Sequence, residues 1–131
     1  MARILIVDDS SFTRKALAKM VTALDHETME ASNGREGLEL AATQRPDCIL
    51  VDLIMPEMGG LEVLDVLRDQ GSSIPRIVIT ADIQESVREQ CLKAGAVAVL
   101  NKPPKNDELQ NALTKAMDLN RDSNESDTQP K

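Results

Sequence analysis

Asp8, Asp9, Asp52, Thr80 and Lys102 are the residues whose types and spacing invite chemistry, because each stands where a short apolar run gives way to polar sequence. The run 4–7 ends at Asp8-Asp9, the run 48–51 at Asp52, the run 77–79 at Thr80, and the run 97–100 at Asn101-Lys102. Taken singly, such a residue is usually a helix cap, a turn former or a solvated charge. Their joint placement at strand ends changes that reading, because functional groups of an open parallel sheet gather where the strands give way to loops. Carboxylates at contact distance repel by about 4 kcal/mol per pair at an effective dielectric near 20, so the cluster requires a counter-charge. Oxygen ligands with no Cys or His nearby suit a hard divalent cation, and Mg²⁺ characteristically takes one or two carboxylates, several waters and a phosphate oxygen. Lys102 offers a point charge to a phosphoryl oxygen and Thr80 a hydroxyl donor, while one of the carboxylates could itself act as nucleophile.

The elements that must carry these residues follow from the hydrophobic pattern. Continuous apolar runs, as opposed to alternating ones, suit parallel strands covered on both faces. Helical spacing lies between them. Phe12, Ala16, Met20 and Leu24, flanked by Leu17 and Val21, mark a first helix that Ser10 or Ser11 can cap. Leu61, Leu64 and Leu67 with Val63 and Val66 mark another, Val87, Cys91 and Ala94 a third closed by Gly95, and Leu109, Leu113, Ala116 and Met117 the last. The stretch 27–44 reads as a short strand, an Asn33-Gly34 turn and a helix from Arg35, in which Gly37 costs about 1 kcal/mol against Ala. Five β-α units in 131 residues predict an α/β fold, an open parallel sheet with helices on both faces. A closed eight-unit barrel would need about twice the length. Residues 120–131 hold no apolar side chain, so a domain over 1–119 followed by a disordered acidic tail is expected.

Composition narrows the function classes. The chain has one Phe and neither Tyr nor Trp, which predicts an aliphatic core and removes the rings that single-stranded nucleic-acid binding stacks on. Its net charge of −7 disfavours a phosphate backbone or an anionic membrane as partner. Cys48 and Cys91 form no CxxC pair and His26 is the sole histidine, so the usual zinc ligand set is missing and buried thiols are expected. There is no signal-peptide pattern and no run of about 18 apolar residues, so no membrane insertion and a cytoplasmic location are expected.

The segments VDDSSFTRK, PDCILVDLIMPEMGG, IVITA and VLNKP resemble, in order and spacing, the four signature stretches of the response-regulator receiver domain of two-component signalling. The resemblance covers residues 2–119. It implies a flavodoxin-like (βα)5 sheet of strand order 2-1-3-4-5, with Asp52 as phospho-acceptor from a phosphohistidine of a histidine kinase or histidine phosphotransfer protein. It further implies that Asp8, Asp9 and Asp52, with the backbone carbonyl of Ile54, hold Mg²⁺, that the Thr80 hydroxyl bonds the phosphoryl group, and that Lys102 precedes a cis bond to Pro103. Such a protein catalyses only its own phosphoryl transfer and dephosphorylation. Val99 stands where the family commonly carries Tyr or Phe, so the usual ring that reports the threonine's movement is missing. Arg14, Lys15 and Lys19 match the region that meets the phosphodonor, or form a solvated face. Adjacent aspartates reject the haloacid-dehalogenase spacing, and the Gly-free stretch 8–19 rejects a nucleotide loop. A stand-alone receiver is therefore expected, acting as a switch for an unknown output protein or as a relay or phosphate sink.

Overall fold

The computed structural model describes residues 2–81 and 83–128, with the side chains of residues 120–128 outside the description. Along the chain run β1 (Arg3–Val7), α1 (Ser11–Ala23), β2 (Glu27–Ala31), α2 (Gly34–Gln44), β3 (Cys48–Val51), α3 (Gly60–Asp69), β4 (Arg76–Thr80), α4 (Glu85–Lys93), β5 (Ala96–Asn101) and α5 (Asn106–Thr128). All neighbouring strands pair in parallel, in the order β2-β1-β3-β4-β5, as the resemblance implied. The expected boundary after Leu119 falls within α5, and the side chains of the proposed tail lie outside the described residues.

Continuous apolar strands are explained by two cores. Ile4 and Ile6 of β1, Leu50 of β3, and Ile77 and Ile79 of β4 pack with Leu17 and Val21 of α1 and Leu109 and Leu113 of α5. The alternate residues Leu5, Val7, Ile49, Val51 and Val78 face the other way, against Ala41, Val63, Leu64, Leu67 and Cys91 of α2, α3 and α4. Each large aliphatic side chain so buried contributes about 2 kcal/mol of transfer free energy, and no aromatic ring takes part. The shape of Gly37 explains its place in α2: a Cβ there would lie 2.8 Å from Val7 Cγ2, so its propensity cost permits the helix to lie close on β1. Cys48 and Cys91 are buried free thiols, as expected.

The buried face of α1 differs from the expected stripe. Leu17 and Val21 are its fully buried residues, whereas Ala16 is exposed and Phe12 is 83% exposed. Phe12 sits in the first turn, near the sheet's carboxyl edge, outside both cores, where it lines a small apolar cavity together with Pro103 and Pro104. Ser10 caps α1 by accepting from the Thr13 N–H at 3.2 Å. At α5 the Lys105 carbonyl accepts from the Leu109 N–H at 2.9 Å, which makes Lys105 the residue that opens the helix. His26 is half-buried, its Nδ1 accepting from the Ala2 N–H at 3.1 Å. Among the described residues no helix is long and apolar enough to cross a membrane.

Candidate functional site

β1 delivers Asp8 and Asp9 to the carboxyl edge of the sheet, β3 delivers Asp52, β4 ends on Thr80 and β5 leads into Lys102. Parallel register brings these ends together. The Asp52 N–H donates to the Val7 carbonyl at 3.0 Å and the Asp8 N–H to the Ala31 carbonyl at 3.1 Å, which extends the ladder into the site. One carboxylate oxygen from each of Asp8, Asp9 and Asp52 lies within 4.8 Å of the others. Asp8 and Asp52 are buried and Asp9 is exposed. Thr80 is buried and pairs in register with Asn101, beside the Lys102 strand end.

Lys102 is the counter-charge. Its Nζ lies 2.9 Å from Asp8 Oδ2 and 3.1 Å from Asp52 Oδ2, and the Lys102–Pro103 bond is cis. Burial opposes the Lys102 charge, but the bonds and charges of Asp8 and Asp52 outweigh it and hold its ammonium above the ordinary value. Burial raises the Asp52 carboxyl, and the charge of Asp8 adds to the rise, against the bond from Lys102, the Lys102 charge and a backbone bond with Ile54. Asp52 therefore keeps a net upward shift with a lysine in contact, chiefly because it is buried and secondly because Asp8 lies beside it. Oxygen donors that outnumber the one cation, with Asp9 open to water, fit a hard divalent cation of the Mg²⁺ kind.

The loop after β3 keeps Asp52 in place. Gly60 donates its N–H to the Leu53 carbonyl at 2.9 Å, and a Cβ on Gly60 would overlap the Asp52 carbonyl. Only glycine allows the start of α3 to lie so close behind Asp52. The Ile54 side chain, in contrast, projects outward and is 73% exposed.

Two neighbours of the site were not evident from the sequence. The Ser10 N–H donates to Asp8 Oδ1 at 2.8 Å, and Arg14 Nη1 donates to the Asp8 backbone carbonyl at 2.7 Å. Of the basic residues on α1, Lys15 and Lys19 are exposed, but Arg14 turns inward. Its Nε donates to Glu30 Oε1 at 3.2 Å. Val99 is buried among the aliphatic residues of the α2-α3-α4 core, one more β-branched strand residue.

Residues 4–114 match the family model described as the response regulator receiver domain. Response regulator MprA of Mycolicibacterium vanbaalenii is 41% identical over 101 residues, covering 77% of this chain and 44% of that protein. The chain thus spans less than half the length of such curated relatives. Among solved structures, the receiver domain of Francisella response regulator 1452 aligns with a TM-score of 0.82 at 27% identity, over 94% of this chain and 99% of that one. Vibrio cholerae chemotaxis protein CheY4 aligns with a TM-score of 0.81 at 30% identity, over 88% and 98% of the two chains. With sheet order and sequence agreeing over nearly the whole described fold, the chain belongs to the response regulator receiver domain family.

Proposed function

We propose that Asp52 accepts a phosphoryl group from a phosphohistidine on a partner protein, and that the phosphorylated form changes how this chain binds an output protein. The observation that carries the reading is the Lys102 ammonium bonded at once to Asp8 and Asp52 within a cluster of three carboxylates. An Asp52 carboxylate oxygen attacks phosphorus, the bond from phosphorus to the donor's imidazole nitrogen breaks, and that nitrogen keeps the electron pair. Asp8, Asp9, Asp52 and the backbone carbonyl of Ile54 are the residues that would hold Mg²⁺. When bound, the cation supplies positive charge to the transferred oxygens. Lys102 exchanges part of its contact with Asp52 for a phosphoryl oxygen, and the Thr80 hydroxyl donates to another. The same positioned groups serve hydrolysis, and no other substrate is turned over.

An apolar surface beside Lys102 supports the approach of a partner protein. Phe12, Ala16 and Met20 of α1 line a shallow apolar cavity of about 150 Å³ with Pro103 and Pro104, reaching Lys102. Borohydride trapping tests the acceptor, since it reduces an aspartyl phosphate to homoserine. Homoserine at position 52 supports the assignment; homoserine at position 8 or 9 overturns it.

Val99 favours a second reading. With an aliphatic residue packed in the core at that position, no ring is available to carry the state of Thr80 to the surface, which suits a relay or phosphate sink that returns the group to a histidine phosphotransfer protein. Incubating the phosphorylated chain with candidate partners separates the readings. Label passing to a histidine supports the relay, and a stable complex that retains it supports the switch.

A further inference from the structure

The two members of the acidic pair are held very unequally. Asp8 has a partner at every polar position: its N–H bonds the Ala31 carbonyl at 3.1 Å, and its own carbonyl accepts from Arg14 Nη1 at 2.7 Å. Its Oδ1 accepts from the Ser10 N–H at 2.8 Å, and its Oδ2 meets Lys102 Nζ at 2.9 Å. Asp9 is exposed, and its side chain makes no hydrogen bond to the described residues. Where its carboxylate can reach is therefore bounded by the backbone that places its Cα and Cβ. The peptide joining Asp8 to Asp9 is planar, so the group that fixes its oxygen also fixes the nitrogen and Cα of Asp9. That group is Arg14.

Arg14 is itself fixed. Its Nε donates to Glu30 Oε1 at 3.2 Å, with its side chain 16% exposed, and Glu30 also receives Lys15 Nζ at 3.5 Å. A planar guanidinium serves two acceptors in set directions at once, which an ammonium cannot do. The chain of contacts runs from β2 through Glu30 and Arg14 to the Asp8 carbonyl, and from there to Asp9.

We propose that Arg14, braced by Glu30, is a positioning residue for the cation carboxylates: it aims Asp9 and thereby sets the strength of divalent-cation binding. This rests on the reading that Asp8 and Asp9 hold such a cation. It also assigns the inward basic residue of α1 to the site, and leaves only Lys15 and Lys19 for contact with a donor.

The test is calorimetric titration of the full chain with Mg²⁺, for the wild type, Arg14→Lys, Arg14→Ala and Glu30→Gln, each accompanied by thermal unfolding in chelator. Arg14→Lys and Arg14→Ala are expected to bind Mg²⁺ about tenfold more weakly, as loss of a partner behind a metal ligand does. Glu30→Gln shifts affinity in the same direction by less, and adding it to Arg14→Lys weakens binding no further. A merely structural Arg14 would lower the unfolding temperature while the folded chain kept its wild-type Mg²⁺ affinity, and an Arg14 that only touches a phosphodonor would also leave that affinity intact; either result overturns the proposal. Where the Arg14 variants do not fold, Glu30→Gln decides in the same way. A wild-type chain that takes up no Mg²⁺ overturns the cation reading beneath the proposal instead.

Discussion

The two edges of the sheet make opposite use of charge. At the carboxyl edge, three carboxylates crowd within 4.8 Å around the contacts of a single lysine. At the amino edge charged side chains tie down backbone groups: Asp47 Oδ2 accepts from the Arg3 N–H at 2.8 Å, and Arg3 Nη1 caps the Gln44 carbonyl at 2.7 Å. Arg76, buried at the same edge, donates to the Ser72 carbonyl at 2.7 Å, while its Nε has no partner among the described residues. Yet a cavity of about 620 Å³, lined by Asp47, Gln70 and Ser72 among others, lies at the amino edge. Clustered like charge, not volume, marks the site, because carboxylates held together are costly to keep unless a ligand relieves them.

The comparison can be broken in several places. The largest effect is expected at Lys102: Lys102→Met should slow phosphorylation by a small phosphodonor about a hundredfold, the scale on which a donor to developing charge acts. An unchanged rate by intact mass would remove Lys102 from the chemistry. Next come carboxylate deletions of opposite sign. Asp52→Asn should raise the stability of the metal-free chain by about 1 kcal/mol, as relief of an excess charge does, whereas Asp47→Ala should lower it by about 1–2 kcal/mol through the lost bond to Arg3. Urea unfolding in chelator measures both, and equal signs would erase the distinction between the edges. Ile54→Asn should then shorten the aspartyl-phosphate half-life by about tenfold, equivalent to about 1.4 kcal/mol in the barrier, since the exposed apolar side chain beside Asp52 offers nothing to orient water. A longer half-life in the variant would count against that role.

The smallest effect belongs to the strand interior between the edges. Burial pushes the Cys48 thiol from 9.0 up to about 12. The folded chain therefore keeps this proton where the unfolded chain releases it, so the associated stability is full below pH 9.0 and is lost as pH rises through about 12. Iodoacetamide at neutral pH should leave Cys48 unmodified in the folded protein, and rapid alkylation would show that β3 opens readily.

Much of this was legible in the sequence, for identifiable reasons. Strands buried on both faces read as unbroken apolar runs, so β3 was delimited at both ends, and the polar residues after such runs led directly to the site. Helix faces were less legible. The spacing of Phe12, Ala16, Met20 and Leu24 is as regular as that of Leu17 and Val21, and only the position of α1 over the sheet decides which stripe is buried. The brace on Asp9 was illegible for another reason: Arg14 and Glu30 are sixteen residues apart, on different elements, and no local pattern couples them. The burial of Arg76 has no local signal either: it depends on Gly95, nineteen residues on, where a Cβ would lie 2.9 Å from Nη1.

The most direct test is the intact mass of the chain after exposure to a small phosphodonor, with Mg²⁺ and with chelator, for the wild type and Asp52→Asn. One added phosphoryl group on the wild type, dependent on Mg²⁺ and missing from Asp52→Asn, is the expected result. No gain by the wild type, or an undiminished gain by Asp52→Asn, would contradict the assignment of the carboxyl edge as a phosphoryl-acceptor site.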